Sequence, residues 1–297
     1  QSNKVHKLEK GRMLGPFCEK NFTTSQFLPL HDDPNIFICS QWQRNKSKPN
    51  FLYLTYRTLV ALFFLGTWIS SMKTEEHADK WPIFLTNWGY TICTLQIVLN
   101  AVMLWCWVLS TRLKDAPMLK EKSLKMYPVY WLLNTISTPV AIGITITYWT
   151  VVYNPNEMKF NFTNYYLHAN NSIMMIIDLL LTAHPVKVLH FVYPMIFAFA
   201  YSLFSWIYYA AGGKGILKDK PRSIYKILDW DKPLTTTLTC LGIILFLVSL
   251  YFLICLISKG RHAVYEKWCQ KYETDNHITE RKENGAYVNE GMSNDVV

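Results

Sequence analysis

Residues 234–258 read LTTTLTCLGIILFLVSLYFLICLIS, twenty-five positions without one Asp, Glu, Lys or Arg. At a rise of 1.5 Å per residue, such a run crosses the ~30 Å hydrocarbon layer of a bilayer as a single helix. Five more stretches have the same character, at about 51–71, 82–108, 127–152, 164–183 and 189–211. Membrane-spanning strands would need runs about half as long, with apolar and polar residues alternating, and that pattern is not found. The sequence therefore predicts an all-α membrane protein, a bundle of six transmembrane helices.

Composition alone hides this. The 297 residues are 51% hydrophobic, 15% aromatic and 17% charged, with a net charge of +9 and a mean hydropathy of only +0.07. Yet of 30 basic and 21 acidic residues, only Arg57 and Asp178 fall inside the six runs. A soluble domain interleaves its charges at helical or strand spacing instead. Segregation this complete excludes a soluble globular enzyme, a disordered chain and a disulfide-rich secreted domain. Trp, Tyr and Phe gather near the ends of the runs, as at Trp81 and Trp88 or Tyr127, Tyr130 and Trp131, matching an interfacial aromatic belt. The expected organisation is a cytoplasmic N-terminal segment over 1–50, a transmembrane domain over 51–258, and a cytoplasmic, largely disordered tail over 259–297. Residues 1–50 have no short apolar core of the secretory type, so the first span is expected to direct insertion itself. The seven cysteines show no framework spacing.

Lys and Arg counts set the orientation. Arg44, Lys46 and Lys48 precede the first span, and Arg112, Lys114, Lys120, Lys122 and Lys125 fill the loop 109–126. Loop 153–163 carries only Lys159, and the tail is basic again. Both termini are therefore expected in the cytoplasm of a plasma-membrane or secretory-pathway protein. Asn161, in the sequon Asn161-Phe162-Thr163, then becomes a glycosylation candidate on the far side. Loop 212–233 runs against this pattern, with six basic residues against three acids. Either the loop tolerates the violation, or the block 164–183 does not cross fully.

Ionisable side chains inside a membrane are costly and call for a partner or a function. Counting from the span ends, Arg57 lies ~9 Å and Asp178 ~8 Å from the same face, so they can form an intramembrane ion pair, with Asn134 close to their level. Such a pair either fixes helix register or forms a headgroup or proton-relay site. A second polar level lies near the other face. Thr86 and His168 each sit four residues into spans entering from that side, ~6 Å deep, with Asn87 beside Thr86 and Asn171 and Ser172 on the face of His168. A hydroxyl beside an imidazole is a minimal nucleophile and base, and amides can hold an oxyanion. The bland alternative is a Thr bonded to its own backbone and a half-solvated His. No His pair has ligand spacing on one helix, so no metal and no cofactor are expected.

The run from Tyr165 to His190, YYLHANNSIMMIIDLLLTAHPVKVLH, then YPMIFAFAYSLFSWIYYAAGG (193–213) and IYKILDWDKP (224–233), resembles the rolling stone family of multispanning proteins. The likeness begins at FLYLTYRTLVALFFLGTW (51–68) and reaches the sixth span. Its association with myoblast fusion implies a role in cell–cell fusion, in adhesion or fusion without catalysis if the polar residues are structural. A more distant likeness is to the androgen-induced protein family, six-span hydrolases of fatty-acid esters of hydroxy fatty acids that use an intramembrane Thr and a His. Trp81-Pro82-Ile83-Phe84-Leu85-Thr86 is similar to that family's threonine motif, with one extra residue between Trp and Phe. His168-Ala169-Asn170-Asn171 is similar to its histidine motif, and Ile224-Tyr225-Lys226 to a segment before its last span. This resemblance implies Thr86 as nucleophile, His168 as base, Asn87 or Asn171 as oxyanion or supporting donors, and a fatty-acyl ester as substrate. Membrane lipids are the expected partners and nucleic acid is not.

Overall fold

The structure, a computed structural model, describes residues 24–74, 78–113, 118–154, 165–217 and 220–293; the side chains of 74 and 272–293 lie outside the description. Asn161 lies outside the described residues. Among the described residues seven α-helices follow in order: α1 (Phe51–Thr74), α2 (Leu85–Arg112), α3 (Met118–Leu124), α4 (Tyr127–Thr147), α5 (Asn171–Leu181), α6 (Val192–Ala210) and α7 (Pro233–Ser293). Their boundaries follow local chemistry. Asn50 Oδ1 accepts from the Tyr53 N–H (3.1 Å) and caps α1. Pro128, Pro194 and Pro233 fall in first turns, where a missing N–H costs nothing. Among the described residues there is no β-strand, only one antiparallel bridge between Ser40 and Thr182.

By length and composition, five helical stretches can cross a membrane: Phe51–Lys73, Leu85–Arg112, Tyr127–Val152, Val188–Ala210 and Pro233–Lys271. The expected six become five full-length helices and one short one. In block 164–183, a five-residue π turn (Tyr166–Asn170) leads into the eleven residues of α5, together only ~24 Å long. The reason is local. The helix ends at Leu181, where the chain turns extended to pair with an incoming segment.

That segment comes from the N-terminal region read from sequence as a separate cytoplasmic piece. A 3₁₀ turn at Pro34–Ile38 and the residues after it enter the bundle, burying Phe37, Ile38, Cys39, Ser40, Gln41 and Gln43. The Gln41 N–H donates to Leu181 O (2.7 Å), the Ala183 N–H to Cys39 O (3.2 Å) and Trp42 Nε1 to Leu180 O (2.9 Å). The strap supplies, from outside the helices, the length that α5 lacks. Buried within the bundle, it keeps its own backbone groups paired.

Helix α2 is the hub, packed against α1 and α4. Close approach depends on small residues: a Cβ on Gly89 would stand 2.6 Å from Ile144 Cδ1, and one on Gly143 would stand 2.7 Å from Leu247 Cδ2 of α7. Helix α5 has an inverted amphipathicity suited to lipid. Asn171, Ser172, Met175, Asp178 and Leu179 are buried, while Ile173, Ile176, Ile177 and Leu180 face outward.

The bundle has two ends. Phe51, Arg112, Tyr127, Thr182 and Val188 lie at the end with the strap, and Leu85, Tyr148, Tyr165, Ala210 and Pro233 at the other. Residues 220–232 fold back over this second end, where the Leu85 N–H donates to Tyr225 Oη at 3.0 Å. The basic loop is therefore at the end opposite the strap. Its charges are partly neutralised within the loop by Lys220–Asp229 (2.6 Å) and Arg222–Asp231 (3.7 Å). Gly215 makes the fold-back possible, since a Cβ there would lie 2.2 Å from the Ser223 carbonyl oxygen.

The chain divides into a compact unit ending at Cys255 and a second unit, Leu256–Val297. Helix α7, with no proline after Pro233, runs into the second unit as far as Ser293.

Candidate functional site

The charged residues of the spans meet. Arg57 Nη1 lies 2.7 Å from Asp178 Oδ1, the side chains 0% and 2% exposed. Further groups surround the pair. Arg57 donates from Nε (3.0 Å) and Nη2 (2.8 Å) to the hydroxyl of Tyr53, one helical turn earlier, and from Nη2 to Tyr130 Oη at 3.5 Å. The guanidinium carbon stands 5.1 Å from the Tyr53 ring centroid and 5.8 Å from that of Tyr56, within cation–π range. Asn134 Nδ2 donates to Asp178 Oδ2 and to Gln96 Oε1, both at 3.4 Å. Tyr130 Oη continues to His184 Nε2 at 3.2 Å. Four helices and the segment after α5 thus converge on one ion pair.

The strap closes this network at its own end of the bundle. The Phe37 ring stacks on His184 (5.2 Å, 14°), and its carbonyl accepts from Asn100 Nδ2 at 2.7 Å. A cavity of about 10 Å³, the size of one water, lies beside Asn134, Thr135 and Thr138. Tyr53, Tyr130, Gln96, Asn100 and His184 were not singled out from sequence. Tyr53 could have been, four residues before Arg57 on the same helical face. The others come from distant elements.

At the opposite end, Thr86 and His168 have different neighbours. Thr86 is 9% exposed and its side chain faces the hydroxyl of Tyr225. Asn87 is spent locally, with Nδ2 donating to Trp81 O at 2.7 Å. The His168 ring stacks flat on Tyr148, with centroids 3.4 Å apart and planes 2° from parallel. Both rings sit on π turns, Tyr148–Val152 and Tyr166–Asn170. Such turns are rare and recur at functional sites. Among the described residues no hydrogen bond joins Thr86 to His168.

Next to His168 the polar groups are bound to one another. Asn171 Oδ1 accepts from the Ser172 N–H (2.7 Å) and from Thr145 Oγ1 (3.4 Å), Ser172 Oγ donates to Ala141 O (2.8 Å), and the Thr145 and Ser172 hydroxyls share a short hydrogen bond. Two buried atoms remain without a partner, His168 Nδ1 and Asn171 Nδ2. Each such orphan costs about 1–3 kcal/mol, so the cluster holds unmet binding capacity. Among the described residues no group of three or more His, Cys, Asp or Glu could hold a metal ion.

Comparison with known proteins agrees with the spans and the loop together. No solved structure matches. Protein rolling stone of Drosophila melanogaster is 32% identical over 252 residues, covering 82% of this chain and 90% of the relative. The family model described as "Protein rolling stone" matches residues 14–270, which takes in the strap, the ion pair, both polar levels and the folded-back loop. This chain is a multispanning membrane protein that belongs to the rolling stone family.

Proposed function

We propose that this protein acts without catalysis in cell–cell fusion of the myoblast type, its intramembrane polar residues serving to lock the bundle. The reading rests on family membership and on one structural observation. Thr86 faces Tyr225 while His168 stacks on Tyr148, so hydroxyl and imidazole are not joined. The enclosed Arg57–Asp178 pair is likewise sealed by its own ligands and by Phe37. The protein sits in the plasma membrane or a secretory-pathway membrane with both termini cytoplasmic, because Lys and Arg crowd the end that carries the strap. The test is rescue of fusion in myoblast-type cells lacking the protein. Thr86→Ala and His168→Phe rescue like the wild type. Loss of rescue by either, at normal surface expression, overturns the reading.

A second reading, an intramembrane lipid-ester hydrolase, is favoured by the unpartnered His168 Nδ1 and Asn171 Nδ2. In that chemistry the Thr86 hydroxyl attacks the ester carbonyl while His168 takes its proton. The proton passes to the departing alkoxide, and water then releases the acid from the acyl-threonine. Asn171 holds the oxyanion. Labelling by a fluorophosphonate probe that disappears in both Thr86→Ala and His168→Phe would support it. Equal labelling of all three proteins removes it.

A further inference from the structure

On the outer surface of the bundle, the seam between α1 and α2 opens into a groove of about 170 Å³. We propose that this groove holds one membrane glycerophospholipid, its acyl chain along the seam and its phosphate on the guanidinium of Arg112.

The register of the two antiparallel helices carries the argument. At the strap end of the bundle, the Arg112 guanidinium carbon lies 5.4 Å from the centroid of the Phe51 ring. Seven residues further along each helix, Trp105 donates its indole N–H to Thr58 Oγ1 at 3.0 Å. Two turns separate these levels, so Arg112 stands ~10 Å nearer the bundle end than Trp105. Beyond Trp105 the seam continues past Ala101 to Val98, facing Ala61 and Leu65. From Arg112 to Val98 is ~21 Å along the axis, equal to half of the ~40–45 Å between the outer limits of the two headgroup layers. The groove itself runs ~10 Å, from Trp105 to Val98, and Arg112 stands ~10 Å beyond its end, so groove and cation together span one leaflet.

Its shape and charge suit the same occupant. Ala61 and Ala101 make a shallow floor, 9% and 6% exposed, between walls of Leu65, Val102 and Trp105 that remain 38%, 47% and 43% exposed. These bulky rims keep another helix backbone from the close approach that small-residue helix pairs use, whereas a flexible chain can follow them. Arg112 is exposed, and among the described residues no acidic side chain pairs with it. Its guanidinium, over the Phe51 ring at the strap end of the seam, is in place to meet a phosphate.

The test uses the full-length protein in detergent, titrated with 16:0/18:1 phosphatidylglycerol and read by native mass spectrometry. The wild type retains one lipid tightly. Arg112→Gln weakens its retention about five-fold, since one cation at the headgroup is lost. Val102→Trp, which lays an indole across the groove from its exposed rim, removes the tight site. Leu62→Trp, on the facing helix, does the same if Val102→Trp proves unstable. Dioleoylglycerol, which lacks the phosphate, binds wild type and Arg112→Gln alike. Retention unchanged by Arg112→Gln and by the rim variants overturns the proposal. So does a wild-type dimer that the rim variants dissociate, because the groove then belongs to a second copy of the chain.

Discussion

Arg57 and Asp178 form their ion pair with almost no contact with solvent, so the energetics of the pair are asymmetric. Forming a buried ion pair gains little over an apolar pair, but removing one member strands the other at a cost of about 3–5 kcal/mol. Asp178→Asn is thus expected to lower thermal stability sharply, and adding Arg57→Gln to restore much of it. Melting temperatures of the four proteins in the double-mutant cycle measure the coupling, and additive losses would refute the pairing as an energetic unit. The pair was legible in the sequence because nearly every other charge had been expelled from the spans. Its ligands were not. Tyr53, Tyr130, Gln96 and His184 are uncharged, common near membranes, and drawn from elements whose contacts no local spacing reveals. The same applies to Thr86 and His168. Counting residues from span ends placed them at one depth, but depth says nothing about the direction of a side chain around its helix. Here Thr86 has Tyr225 beside it and His168 stacks on Tyr148.

The strap and α5 form a composite crossing element. Phe37 is 1% exposed and touches the rings of Tyr127, Trp131 and His184, with centroids 4.8, 5.0 and 5.2 Å away. Phe37→Ala should cost about 3–5 kcal/mol, the range for emptying an aromatic site in a packed core. It should also expose the bonds after Arg44 and Lys46 to trypsin. Limited proteolysis of the purified protein reads both effects, and wild-type resistance would show that the strap docks without its anchor. The long apolar helices were plain from hydropathy because length and exclusion of charge are properties of one segment. The strap was hidden because a polar stretch before a first span looks cytoplasmic on average. Its one signal was the short run Ile36-Phe37-Ile38-Cys39 inside otherwise polar sequence. Helix α5 was overestimated for the complementary reason: Leu181 to Ala183 are apolar enough to prolong a helix, but their backbone is taken by the strap.

At the scale of the whole molecule, the two ends of the bundle are finished differently. One is plugged by the strap and the other is covered by the loop 220–232. That cover depends on charge. The Lys220 ammonium, hydrogen-bonded to Asp229, holds its carboxyl below the usual carboxylate range, against a weaker opposing effect of burial. A depressed carboxyl pKa contributes stability at pH values above about 4 that is lost as the pH falls through the folded-state value. The melting temperature should therefore decline on acidification below pH 4, and less steeply in Lys220→Gln. Parallel declines in the two proteins would mean that the loop does not limit acid stability.

The bridge between Ser40 and Thr182 has a consequence in time. Ser40 Oγ reaches Leu181 O across 141 residues of sequence. At synthesis rates of about 5–20 residues per second, the strap waits roughly 7–30 s for its partner to be made. During that interval Phe37 and Ile38 have no site to occupy. Docking becomes available only after four helices, α1 to α4, have been laid down and α5 has followed them. The strap is thus translated before the helices but fixed only after α5 is made, and a chain that stalls before α5 displays an apolar tag to the quality-control machinery of the cell.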